Sequence, residues 1–289
     1  MSDWPNFFIV GAMRSGTTSL HNYLKIQSDI FLPDEKECVY FSTLPGPMIT
    51  RQITKQEYFN FFTDRKNEKA VGESSVQYLR DPYSAEKIFK NIPHAKIIII
   101  LRNPINRAYS QYLAEIKTIP GASEKSISDD IRSDVKRIDE NDLENDNALA
   151  YGLYYNQVKR YIDKFGSNQV KIFIYEEFFD DVKKSLKEIL DFLEITDEMK
   201  PFKPIKHNEY FTPNKLLWKI ITNSVVKKLA YVLFSTDRIT SMYKQIRKKN
   251  KIRPELESED KKIIINFYKN DVKLLEKLLD RKLPWSEFY

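Results

Sequence analysis

The sequence predicts an α/β protein, a three-layer sandwich in which a mostly parallel central sheet is flanked by helices, with a helical part at the higher residue numbers. Three observations carry this. Apolar runs, FFIV at 7–10 and IIIIL at 97–101, show no polar alternation, as strands buried on both faces require. The first run passes into a loop bounded by Gly11 and Gly16 and then into a helical pattern. From 148 to 193 helix and strand patterns alternate, which parallel strands need because their connections must cross over. With 289 residues and 42% hydrophobic content the chain can bury one large core. It is read as a single domain over 1–289, with an α/β core at 1–200 and a loop and helices at 201–289.

The Gly11 to Gly16 spacing, GAMRSG, reproduces the first half of a Walker phosphate-binding loop, so the fold is expected to be P-loop-like. In such a loop, backbone N–H groups and the positive end of the next helix hold an anion. The second half departs from the pattern. A nucleotide triphosphatase places Lys and then Ser or Thr directly after the second glycine, whereas Thr17 and Thr18 stand here and the cation, Arg14, lies inside the loop. This is an anion loop for a ligand other than MgATP, and no metal ligand is assigned.

After short helical patterns at 55–62 and 82–91, the run KIIIIL at 96–101 reads as a central strand. Arg102 stands at its carboxyl end, where ligands of open α/β sheets bind. Pro104 suits the first turn of a helix, where its missing N–H costs nothing, and Asn103 is a suitable cap before it. Taken alone, an arginine in that place serves equally well as a partner for strand-end carbonyls.

The segment LPDEKECVYFS at 32–42 sets Glu37 beside Lys36, one loop after the phosphate helix. A cluster such as DEKE usually forms a solvated loop, but a carboxylate in a partly dry cleft has its pKa raised towards the range of a general base. Cys38 is the single cysteine, so no intramolecular disulfide and no paired zinc-type spacing exists. With no histidine near it in sequence, it reads as a small buried hydrophobe rather than a nucleophile. His21, His94 and His207 are isolated, and His207 alone is kept as a reserve base.

Together these motifs resemble those of sulfotransferases that use 3′-phosphoadenosine 5′-phosphosulfate (PAPS). RSGTTSL after a strand is similar to their 5′-phosphosulfate loop, and RNPxxRAxSxY at 102–112 to their 3′-phosphate motif. PxxKExxxF at 33–41 resembles the segment that carries the catalytic glutamate in carbohydrate sulfotransferases of the heparan sulfate type. The resemblance implies PAPS as donor and 3′-phosphoadenosine 5′-phosphate (PAP) as product, with no metal required. It implies Glu37 as the base that accepts the acceptor's proton, with Arg14 as its catalytic partner. Arg14, Ser15, Gly16, Thr17, Thr18 and Ser19 would bind the phosphosulfate, and Arg102 and Ser110 the 3′-phosphate. Lys36 would balance charge or approach the sulfonate, and Arg107 would steady the helix or the acceptor side. Where the animal glycan enzymes carry a lysine, this chain has Ser74, in VGESSVQYL at 71–79. The acceptor therefore stays open between a carbohydrate, a glycolipid and a specialised small molecule, through a hydroxyl or an amine. Glu73 is a reserve base whose expected role is structural.

The stretch 115–147 is polar and charge-rich and reads as a lid or a helix pair. A helix is expected over 148–165, a strand over 170–175 and a helix over 178–193. The basic, proline-marked loop 201–213 is read by the resemblance as the nucleotide-covering loop, with Lys206 near the 3′-phosphate. Helices are expected at 214–234, 238–249 and 257–279; the first is basic and amphipathic, which suits packing on the domain more often than a membrane surface. A net charge of +6 from 47 basic and 41 acidic residues does not point to nucleic acid and suits an anionic donor. A strand starting so near Met1 is read as leaving no room for a signal peptide or anchor, which makes the cytoplasm the expected compartment. Two rivals stand beside this reading. A P-loop kinase or nucleotidase calls for a strand-end acid where this chain has Arg102, and a non-catalytic protein would bind through the nucleotide fold without turnover.

Overall fold

The computed structural model describes residues 4–44, 52–118, 127–139, 147–203 and 256–289. Those up to 203 and from 258 onward fall in one compact unit, Met1–Ile205 with Ser258–Tyr289. Its centre is a five-stranded parallel sheet of order β2-β3-β1-β4-β5. The strands are β1 (Phe7–Gly11), β2 (Ile30–Phe31), β3 (Ala70–Ser74), β4 (Lys96–Leu101) and β5 (Val170–Ile174). The register sets Ile9 level with Ser74 and Ile98, and Leu101 level with Ile174. The residues that follow β1, β3, β4 and β5 therefore emerge along one edge of the sheet.

Ten helices are described: α1 (Thr17–Lys25), α2 (Lys55–Asn60), α3 (Gln77–Arg80), α4 (Ser84–Asn91), α5 (Pro104–Thr118), α6 (Ile127–Asp139), α7 (Tyr154–Phe165), α8 (Tyr175–Asp180), α9 (Val182–Phe192) and α10 (Ser258–Leu279). On one sheet face Phe7, Ile9, Ile98 and Ile100 meet Leu20 and Leu24 of α1 and Leu186, Ile189 and Leu190 of α9. On the other, Phe8 meets Phe41 edge-on, and Tyr161 of α7 donates to the Tyr78 carbonyl at 2.9 Å. Covered from both sides, every residue of β1 and β3 is buried, and 97–101 have no solvent exposure at all. That is why these strands read as unbroken apolar runs. The last described helix, α10, packs against α7, and its fully buried Tyr268 donates to the Leu149 carbonyl at 2.7 Å.

Capping chemistry explains where the elements depart from the expected boundaries. α2 starts at Lys55, where the sequence places it, because Thr54 Oγ1 accepts the Glu57 N–H while Glu57 accepts the Thr54 N–H, a capping box, and it ends at Asn60 rather than 62. α4 starts at Ser84 rather than 82, since the Asp81 carboxylate takes the N–H groups of Tyr83 and Leu44 and holds the chain in a turn. The helix expected over 148–165 is a 3₁₀ turn, Ala150–Gly152, followed by α7. Asp271 of α10 accepts the N–H groups of Tyr154 and Tyr155 and so caps α7 from a neighbouring helix. The helix expected over 178–193 is two, α8 and α9, parted at Asp181, whose carboxylate accepts the Lys184 N–H. Within 115–147 residues 115–118 and 127–139 are helical, the end of α5 and α6. Residues 204–213 of the expected loop, with Lys206 and His207, and the helices expected at 214–234 and 238–249 lie outside the described residues.

Candidate active site

The loop after β1 is drawn tight by two backbone bonds, Ala12 N–H to Ile100 O at 2.8 Å and Ser15 N–H to Ala12 O at 3.2 Å. Arg14 and Gly16 adopt left-handed backbone, with φ of 65° and 81°. At Gly16 a side chain is excluded twice, by that conformation and because a Cβ would stand 2.5 Å from the Phe179 ring. α1 then opens with no side-chain cap and no acidic residue in its first turn. Its leading N–H groups have no acceptor one turn back, and the helix dipole adds positive potential at the same place, so this end is built for an anion. Thr17 and Ser19 are buried here and Thr18 is exposed, while Ser15 is fully enclosed.

The second motif interlocks with the first. Arg102 Nη1 donates to the Arg14 carbonyl at 3.1 Å, and Arg14 Nε donates to Ser110 Oγ at 3.3 Å. The Arg102 guanidinium lies over the Tyr175 ring, 4.6 Å from its centroid, and its Nε is buried without a protein partner. Asn103 caps α5 through Oδ1, which accepts the Ile105 N–H at 3.0 Å. Arg107 is fully buried and donates to Gln111 Oε1 at 2.7 Å and to the Ala148 carbonyl. It ties α5 to the turn before α7, the structural one of the two roles implied for it.

The segment after β2 brings Glu37 to the same edge. It is stitched to α1 by His21, whose Nε2–H donates to the Pro33 carbonyl at 3.1 Å, and by the Lys25–Asp34 ion pair. It is stitched to the end of β3 by Glu37 N–H to Ser74 O at 2.9 Å and Val39 N–H to Ser75 Oγ at 3.1 Å. Glu37 and Val39 are forced into left-handed backbone, φ 63° and 50°, a conformation that a β-branched residue adopts only under constraint. Glu37 Oε2 accepts the Val76 N–H at 2.9 Å, and Lys36 Nζ stands 3.7 Å from Oε1. Lys36 also reaches across to the loop, donating to Thr18 Oγ1 at 3.2 Å and to Thr17 Oγ1 at 3.5 Å. Burial raises the Glu37 pKa and lowers that of Lys36, in each case against the partial opposition of the other's charge.

Three other titratable groups belong to the scaffold. Glu73 has no solvent exposure, and its carboxylate accepts the Tyr58 hydroxyl at 2.5 Å and the Ser75 hydroxyl at 2.6 Å; burial lifts its pKa to about 7. Cys38 is buried, and its thiol pKa is pushed up by desolvation and by Glu73 and Glu37 nearby. Burial first, then the charges of Lys36 and Lys25, lower the His21 pKa to about 4, which leaves its ring neutral and holding Pro33. Among the described residues no cluster of His, Cys, Asp or Glu is arranged to hold a metal ion, and no helix is long and apolar enough to cross a membrane.

The structure thus assembles Arg14, Ser110, Arg102, the start of α1 and Glu37 at one sheet edge. Sequence reasoning gave Lys36 no fixed place, although it bridges the base candidate and the loop, and it missed Tyr154, Tyr175 and Glu176. YEE follows directly on the strand VKIFI, and a carboxyl-end position on this sheet was the signal that would have found Tyr175 and Glu176. An uncapped helix start at one end and an unpartnered Arg102 Nε at the other fit a donor with two anionic groups.

The sequence pattern of the sulfotransferase domain family matches residues 5–278. A crystal structure of a sulfotransferase from Alicyclobacillus acidocaldarius is 29% identical, covers 98% of this chain and 99% of that one, and superposes with a TM-score of 0.72. The membrane-associated sulfotransferase kil1 of Dictyostelium discoideum is 35% identical over 108 residues, 37% of this chain and 22% of that protein. The bifunctional heparan sulfate N-deacetylase/N-sulfotransferase 1 of Xenopus laevis is 22% identical over 282 residues, 96% of this chain and 30% of that protein. The chain therefore spans less than a third of the length of these two curated relatives. A family pattern running almost end to end, over a parallel sheet that gathers both anion motifs at one edge, leads to the conclusion that the chain belongs to the sulfotransferase domain family.

Proposed function

We propose that the protein moves the sulfonate of PAPS onto a hydroxyl or amine of a carbohydrate, glycolipid or specialised small-molecule acceptor. The observation that carries this reading is Lys36, which touches the threonines of the anion loop while standing 3.7 Å from the raised carboxylate of Glu37. When bound, PAPS supplies the sulfonate: its bridging S–O bond breaks with the electron pair left on the 5′-phosphate, as the acceptor's oxygen or nitrogen bonds to sulfur. Glu37 accepts the proton that the acceptor loses. Arg14, Lys36 and the N–H groups opening α1 oppose the negative charge that grows on the leaving phosphate. Thr17, Thr18, Ser15, Gly16 and Ser19 shape that loop, and Arg102 with Ser110 anchors the 3′-phosphate and sets the alignment.

Isothermal calorimetry with PAP, against ATP plus magnesium at the same salt, tests the donor site. Binding of PAP with no matching response to MgATP is expected, and the reverse would replace this reading with a kinase. For the chemistry, Glu37→Gln is expected to lower kcat by about 10²–10⁴-fold while PAP affinity is kept. Unchanged transfer would remove Glu37 from the base role, and a protein that binds PAP but never turns over would be a non-catalytic binder. Arg14→Ala should reduce turnover more than Arg102→Ala, and Arg102→Ala should chiefly weaken donor binding. The single cysteine, buried and unable to pair within the chain, supports our placement of the protein in a reducing compartment, the cytoplasm, which cell fractionation tests.

A further inference from the structure

The peptide group joining Arg102 to Asn103 is held on both of its polar atoms. Its carbonyl, that of Arg102, accepts the Tyr154 hydroxyl at 2.9 Å. Its N–H, that of Asn103, donates to Glu176 Oε1 at 3.1 Å. Both holding residues converge on Trp285, which lies more than a hundred residues beyond either. The Trp285 indole N–H donates to the other Glu176 oxygen, Oε2, at 3.1 Å, and its ring centroid lies 6.2 Å from that of Tyr154. Trp285 is completely buried. Two residues on, Glu287 Oε2 accepts Asn103 Nδ2–H at 3.0 Å, while Asn103 Oδ1 caps α5. Asn103, itself buried, has thus spent its backbone N–H and both ends of its side-chain amide on this network.

These contacts are costly to leave unmade. A buried peptide N–H or carbonyl without a partner pays its full desolvation cost, so each of the five hydrogen bonds here fixes a position rather than merely lining it. The side chain whose position they fix is Arg102, stacked on Tyr175, the residue next to Glu176, with its Nε free of protein partners.

We propose that Trp285 and Glu287 are positioning residues for donor recognition: through Glu176, Tyr154 and Asn103 they hold the Arg102–Asn103 peptide so that Arg102 faces the 3′-phosphate. This rests on the reading of Arg102 as the 3′-phosphate ligand. Discrimination between a donor with a 3′-phosphate and one without it is then set partly by a segment that touches neither.

The test compares dissociation constants for PAP and for 5′-AMP, which lacks the 3′-phosphate, in the full chain and three variants. Trp285→Phe keeps a buried ring and removes the indole donor; Glu287→Ala removes the acceptor from Asn103, and Glu287→Gln restores one. Trp285→Phe and Glu287→Ala are expected to weaken PAP about five- to tenfold, the worth of one partly buried hydrogen bond, while 5′-AMP binding is unchanged. Glu287→Gln should recover most of the loss. A purely structural role would instead lower the melting temperature and weaken both nucleotides equally, which would overturn the proposal. Arg102→Ala measured in parallel separates the two ideas. If it abolishes the preference for PAP and Trp285→Phe and Glu287→Ala do not, the positioning role fails and the ligand reading stands; if it leaves the preference intact, both fall. Should Trp285→Phe not fold, the Glu287 pair decides alone.

Discussion

Glu73 lies level with Phe8 in the sheet, out of contact with solvent, and its oxygens are taken by the hydroxyls of Tyr58 and Ser75. Burial raises its pKa from 4.5 to about 7, so between those values the folded chain holds a proton that the unfolded chain has released. Stability then falls as pH rises through that window. Replacing the acid by its neutral amide removes the effect: Glu73→Gln is expected to flatten the pH profile of urea unfolding and to gain up to about 3 kcal/mol over the parent at pH near 8. Parallel profiles would show that Glu73 gives up its proton at the same pH in the folded and unfolded chains, so that its burial leaves its pKa unmoved. Glu37 has its pKa raised by the same cause and so adds to the same pH dependence of stability, but it also faces the anion loop with Lys36 beside it, so its ionisation is expected to govern rate as well, with turnover rising as pH climbs through its pKa. The sequence pattern around Glu37 was enough to single it out. Its left-handed backbone and its acceptance of the Val76 N–H were not legible, because both depend on β3 arriving alongside from more than thirty residues away.

At the scale of elements, the loop between β1 and α1 rests on Gly16. Gly16→Ala is expected to cost about 1–3 kcal/mol from the left-handed conformation alone, with more from the clash against Phe179, and to abolish PAP binding. Thermal unfolding and calorimetry on the variant check both parts, and a variant with the parent's melting temperature would show that the loop can relax at no cost. β1, β4, β5 and the Asn103 cap were legible because each is set by residues adjacent in sequence. β2, with two residues, and α3, with four, are too short to carry a period. The division between α8 and α9 at Asp181 lies inside an apolar periodicity that continues across it, and only the capping role of Asp181 reveals it. The start of α7 was hidden for a different reason, since its cap, Asp271, belongs to α10.

For the molecule as a whole, the proposed donor site, made of cations drawn from several strand ends, means that ligand binding and global stability are expected to be coupled. PAP at a hundred times its dissociation constant is expected to add about 2.7 kcal/mol, read as a rise of several degrees in melting temperature. The rise should shrink as salt is added, because charge opposes charge at the site; a salt-independent shift would point to recognition through adenine instead. The strand order has a further consequence, for synthesis. β1 is first in the chain yet third in the sheet, and its neighbours arrive only at residues 70–74 and 96–101. A nascent chain ending before residue 70 presents FFIVG with both of its edges unpaired, and one ending before residue 96 still leaves one edge open, the pattern that invites association between copies. Fragments ending before β4 should therefore precipitate rather than fold, and yield in a foreign host should depend on how well the first hundred residues are sheltered while the ribosome completes the sheet.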